Sequence, residues 1–209
     1  MVAMKSRLVL LLLCASLLAA VQARAKTILP DACGDDNIRF DVKVKALAEG
    51  KPNPAPAPPE AGKAQIIFIE NLDTNGAFFT TPTTRFGVDG KWVGANRGNS
   101  YFVVTVDPGL HHVCANWQSG TDNEARQVGL EKFAAEAGKV YYYQVKLARH
   151  RSIISGASGP GGIGGGGGTI TDKSFFFSQL DDDDGSYRVK ASPPSSWKSH
   201  VEPPPPPQY

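Results

Sequence analysis

Five groups of side chains in this 209-residue chain have types and spacings that chemistry could use. Gly159, Gly161 and Gly164 spell G-x-G-x-x-G, the pattern that lets a backbone approach a pyrophosphate at the start of a helix. No helical periodicity follows, and the run lies in low-complexity glycine, so no nucleotide site is expected. Asn71, Asp73, Asn75 and Gly76 begin like a calcium loop, but the twelfth position is Pro82, where a bidentate glutamate is needed. A polar turn after a strand is the reading. Asp181, Asp182, Asp183 and Asp184 concentrate four carboxylates that cannot all face one ion from a strand, which predicts a solvated hairpin loop closing at Gly185. Weak divalent-cation binding is the alternative. His111 and His112 are adjacent, so in a strand they point to opposite faces and cannot share a metal or an active site. Trp92, Tyr101, Trp117 and the tyrosine run Tyr141, Tyr142, Tyr143 could form a ligand platform, but strand faces and sandwich cores use the same residues. With no Gly-x-Ser-x-Gly elbow either, no catalytic, cofactor-binding or metal-binding residues are expected, and no cofactor.

Cysteine is the one reactive type with a partner. Residues 1–25 carry Lys5 and Arg7, then an apolar run too short to span a bilayer, then Ala23 and Ala25 where a signal peptidase accepts small residues. This predicts an export signal cleaved before Lys26. No transmembrane segment is expected after cleavage. Cys14 sits mid-run after Leu13, without the small residue a lipobox would place before it, so a lipid anchor is not expected. Removing the signal takes Lys5, Arg7 and Arg24 from the 22 basic residues and leaves the 20 acidic ones, turning a formal +2 into a charge near −1. No basic field remains to attract nucleic acid. Cys33 and Cys114 are left, the minimum for a bridge in the oxidising compartment that export implies; two free thiols are the alternative.

These residues must be held by something, and the patterning says strands. Residues 26–50 contain Ile38, Phe40, Val42 and Val44 alternating with polar residues, a half-buried strand that packs on the main domain. Residues 51–61, with five prolines, form an extended spacer. The domain at 62–191 has strand runs at 65–70, 84–88, 91–95, 100–106, 110–117, 128–135, 139–147, 174–179 and 185–191, interrupted by a flexible glycine-rich loop at 152–172. Asp89-Gly90 marks a tight hairpin and Pro108-Gly109 a type II turn returning antiparallel from a central strand at 100–106. Alternation assigns Val113, Ala115 and Trp117 to the core and turns Cys114 outward, where an N-terminal segment crossing the outside of the sheet could meet it through Cys33. Residues 192–209 form a proline-rich tail. The expected fold is all-β, an antiparallel immunoglobulin-like sandwich with disordered proline-rich and glycine-rich segments.

The ordered series GKAQIIFIE, VDGKWVG, NSYFVVTVDPGLHHVCA and AEAGKVYYYQV resembles bacterial domain-of-unknown-function family 2846, continuing loosely through SFFFSQLDDDDGSYRV. The resemblance implies a small β-sandwich of the cell envelope, often exported or lipid-anchored, with no assigned activity. Gly90, Pro108, Gly109 and Gly138 match its turn positions, and it supplies no catalytic residues. The expectation is therefore an exported, non-enzymatic protein of the periplasm or cell exterior, binding or spacing an envelope protein or glycan. A secreted hydrolase, or a carbohydrate- or peptide-binding sandwich, is the alternative.

Overall fold

The structure, a computed structural model, describes residues 30–46, 53–73, 81–118, 127–154 and 168–202, with backbone alone at 149–154 and 168–173. Residues 1–25, where an export signal is expected, the centre of the glycine-rich run and residues 203–209 lie outside them.

Strands β1 (Ile38–Val44), β2 (Ala64–Asp73), β3 (Thr83–Val88), β4 (Lys91–Arg97), β5 (Ser100–Val106), β6 (Gly109–Trp117), β7 (Val128–Ala135), β8 (Val140–Ile154) and β9 (Gly168–Leu180) precede helix α1 (Asp182–Ala191) and strand β10 (Ser195–Val201). They build an all-β sandwich of two four-stranded sheets, ordered β5-β2-β8-β9 and β4-β3-β6-β7, with β1 and β10 as a separate ribbon. One pair departs from the expected antiparallel order: β2 and β8 run parallel, Ile66 beside Tyr141. Between the sheets, Ile66, Phe68, Phe86, Phe102, Val113, Ala115, Trp117, Tyr143, Val145 and Leu147 form one buried core. The rings of Phe68 and Phe86 meet across it at 4.8 Å, a distance at which aromatic pairs attract beyond their burial.

The run QIIFIE is nearly all apolar because β2 is covered on both faces. Ala64, Ile66 and Phe68 face the core, while Ile67 and Ile69 face outward and join Tyr101 and Val189 in a second buried cluster. Val189 belongs to α1, and here the expected strand at 185–191 is corrected. Asp181 caps a helix, its Oδ1 accepting from the Asp184 amide at 2.8 Å. Asp182, Asp183 and Asp184 occupy the first turn and Arg188 and Lys190 the last. That distribution of charge complements the helix dipole, so carboxylates that would repel one another on a loop are stabilised at a helix N-terminus. Gly185 faces the sheet, where a Cβ would collide with the Tyr142 ring, so glycine lets the helix lie close.

Four further expectations change. β5 is an edge strand, not a central one, yet apolar on both faces because core covers one and the second cluster the other. After Pro108 the chain does not return beside β5; β6 crosses to the opposite sheet and pairs with β3 and β7. At 192–209 the expected tail contains β10, whose Trp197 lies opposite Val42 of β1 and packs on Phe102 at 4.6 Å. The glycine-rich interruption is shorter than 152–172, because β8 and β9 remain paired out to Ile154 and Gly168. The Asp89-Gly90 turn has the form expected, with positive φ at both residues, 49° and 81°.

Candidate functional site

The outer face of the β4-β3-β6-β7 sheet carries a clasp. Cys114 points away from the core, as alternation required, and is bonded to Cys33, 81 positions away in sequence, with Cα atoms 5.3 Å apart. The segment before β1 therefore lies across the sheet. Trp92 donates its indole N–H to Asp35 O at 2.8 Å, and the Gly90 amide donates to Ala32 O at 3.2 Å. Arg85 projects into this seam with 3% of its side chain exposed, donating to Ile38 O at 2.8 Å and Asp36 Oδ1 at 3.1 Å, and also to Asn116 Oδ1. Its guanidinium lies 4.5 Å from the centre of the Trp92 ring, a cation–π contact. Burial pulls the Arg85 pKa down to about 10, against the opposing pull of Asp36, so the group stays charged at neutral pH. Its hydrogen bonds are structural.

Two other titratable groups are similarly committed. Glu70 is fully buried at one end of the core, where Oε2 accepts from the Thr84 amide at 3.2 Å and Oε1 from the Gly98 amide at 3.0 Å. Burial holds its carboxyl well above the usual range, partly offset by these donors. His111 has Nδ1 at 2.7 Å from Asp89 Oδ2 and Nε2 at 2.7 Å from Asp107 O. Both neighbours are acceptors, so both ring nitrogens must donate, which requires the imidazolium. Burial opposes that charge, but the hydrogen bonds to Asp89 and the Asp107 carbonyl outweigh it and raise the pKa. His112 faces the other side of β6, in a trough of about 530 Å³ with Asp31, Leu130 and Lys132.

The structure separates the aromatic residues considered as one platform. Trp117 and Tyr143 are core, Tyr142 lies under Gly185 of α1, and Trp92 lies under Arg85. Asn71 and Asp73 are strand residues of β2, and Asn75, Gly76 and the run Gly159 to Gly164 lie outside the described residues. Among the described residues no three His, Cys, Asp or Glu side chains are grouped to hold a metal, and no helix is long and apolar enough to cross a membrane.

A concave site exists elsewhere, along β5. Residues 53–60 run outside the sheets, tied at one end where the Asn53 amide donates to Lys190 O at 3.2 Å and its side chain reaches Ser192 O, satisfying carbonyls at the end of α1. Pro56 and Ala57 of this strap, Tyr101 and Val103 of β5, Pro194 and Trp197 enclose a groove of about 360 Å³. At its end the Tyr101 amide donates to Pro193 O at 3.1 Å, away from β2. By the alternation of an antiparallel ladder, Val103 and Thr105 then turn their N–H and C=O groups to the same open edge. Gln65 lies in the groove 7% exposed, its Oε1 buried with no partner among the described residues. Sequence reasoning missed Gln65 and Trp197, since a polar residue at a strand start and a tryptophan among serines carry no signature. Comparison of the chain with protein-family models, with curated proteins and with solved structures finds no match in any of the three.

Proposed function

We propose that this chain is an exported, non-enzymatic binding module of the bacterial cell envelope, a member of the family it resembles, and that it holds an extended peptide along the β5 edge. The groove carries this reading. It combines an open strand edge, whose N–H groups can bond the carbonyls of any backbone, with aromatic and proline walls and a buried amide oxygen at Gln65 without a partner among the described residues. Edge pairing would supply affinity and the walls selectivity. The Cys33–Cys114 bridge supports an oxidising location, the periplasm or cell exterior.

A photo-crosslinking residue at Val103, in the chain expressed with residues 1–25 in a bacterium, tests the reading. The expected product is a protein adduct in the periplasmic or extracellular fraction, beginning at Lys26, and lost when Thr105→Pro removes an edge N–H. A chain retained in the cytoplasm, or an adduct indifferent to Thr105→Pro, would overturn it.

A further inference from the structure

The chemistry of the groove also narrows its occupant. Its walls are rings and prolines, Tyr101, Trp197, Pro56 and Pro194, and the Trp197 indole N–H has no protein acceptor among the described residues. Such a surface suits a polyproline II helix, whose pyrrolidine rings pack on aromatic faces and whose carbonyls, lacking internal hydrogen bonds, are open to an indole donor. Gln65, whose oxygen needs a donor, calls in addition for an N–H at one end of the ligand. Residues 203–209 of this chain read PPPPPQY: five prolines without an N–H, then Gln208 and Tyr209, each with a backbone N–H, and no charged side chain to desolvate.

The groove of the same copy is badly placed for that segment. β10 starts beside the groove at Ser195 and ends at Val201, and the Glu202 amide is tied to Asn37 O at 2.7 Å. Residue 202 lies five strand steps beyond Trp197 and seven beyond Ser195, about 17–23 Å from the groove. Five prolines in polyproline II cover about 16 Å and resist the reversal that a return along β10 would need. We propose that residues 203–209 dock in the β5 groove of a second copy, so that the chain associates with itself through exchanged proline segments. This rests on the reading of the groove as a peptide site.

Sedimentation velocity on the full chain and on a variant with each proline from 203 to 207 replaced by serine tests it. The expected result is self-association of the parent as concentration rises from about 1 to about 300 µM, the range of a weak interface, with the five-serine variant monomeric throughout. In the five-serine variant, the peptide PPPPPQY should move the Trp197 indole N–H resonance saturably, and Gln65→Leu should weaken that binding about tenfold. Association unchanged in the five-serine variant would overturn the inference. So would a parent that stays monomeric while its Trp197 resonance is already displaced from that of the five-serine variant at high dilution, since the segment would then be docking within one copy. A proline-free extended peptide that moves the Trp197 resonance while PPPPPQY does not would overturn the inference and leave the proposed function standing; an indole indifferent to every peptide would overturn both.

Discussion

Arg85, Glu70 and His111 show how a polar side chain becomes part of a scaffold. Arg85 and Glu70 are buried and His111 half-buried, and each has fixed partners, so its chemistry is used up in holding the backbone. Replacing Arg85 by leucine discards donors to Ile38 O and Asp36, with a loss of about 3 kcal/mol expected, since hydrogen bonds from a charged group are worth about 1.5–3 kcal/mol. Urea denaturation of parent and variant measures it, and a loss near zero would mean that the seam is held without the guanidinium. His111 carries a pH signature. Its folded pKa is raised, so its contribution is complete below its unfolded value of about 6.5 and disappears as pH rises through the folded one. The Asp89 carboxylate is pushed up by burial but pulled lower overall by the His112 amide and by His111, so its contribution is lost only under acid conditions. The stability gap between parent and His111→Gln should therefore be wider in mildly acidic than in alkaline buffer, as thermal melts at the two pH values would show. An equal gap would rule out the imidazolium.

The element that changed most between pattern and fold is α1. Its ten residues have the charge distribution of a helix but little apolar periodicity, with only Gly185 and Val189 buried. Read by hydrophobic spacing alone, such a segment resembles a polar loop and an edge strand. Its stability comes from ends and contact: the Asp181 cap, acidic residues in the first turn, Asn53 on the last carbonyls, and Gly185 against Tyr142. Asp181→Ala should cost about 1 kcal/mol, the usual value of an N-cap. Because α1 covers Ile67 and Ile69, hydrogen exchange should speed up in β2 as well as in the helix. Acceleration limited to residues 181–184 would show that the helix is not what shields that face.

For the molecule as a whole, the decisive link is the clasp. Joining residues 81 apart restricts the unfolded chain, and the chain-entropy model puts the stabilisation at about 4 kcal/mol. Cys33→Ser with Cys114→Ser should therefore lower the unfolding free energy by that amount, read in urea from the fall in midpoint and the m value. It should also raise exchange at the amides of β1 and of Gly90, which the N-terminal segment covers. Intact mass with and without reductant reads the bridge directly. Two thiols alkylated without reduction would dismiss it.

Legible in consecutive residues were the all-β class, the Asp89-Gly90 hairpin, the inward set Val113, Ala115 and Trp117, and the outward Cys114; Cys33 is there only its candidate partner, and the structure makes the bond. Period-two alternation and positive-φ turn residues are local properties, written in consecutive positions. Tertiary structure alone decided that β5 is an edge, that β6 crosses to the other sheet, that β2 and β8 run parallel, and that 195–201 is a strand. Pairing partners are chosen by burial of whole faces, and residues far apart in sequence share them. The groove arises the same way. Pro56, Gln65, Tyr101 and Trp197 come from four separate segments, and none has a pattern of its own that announces the others.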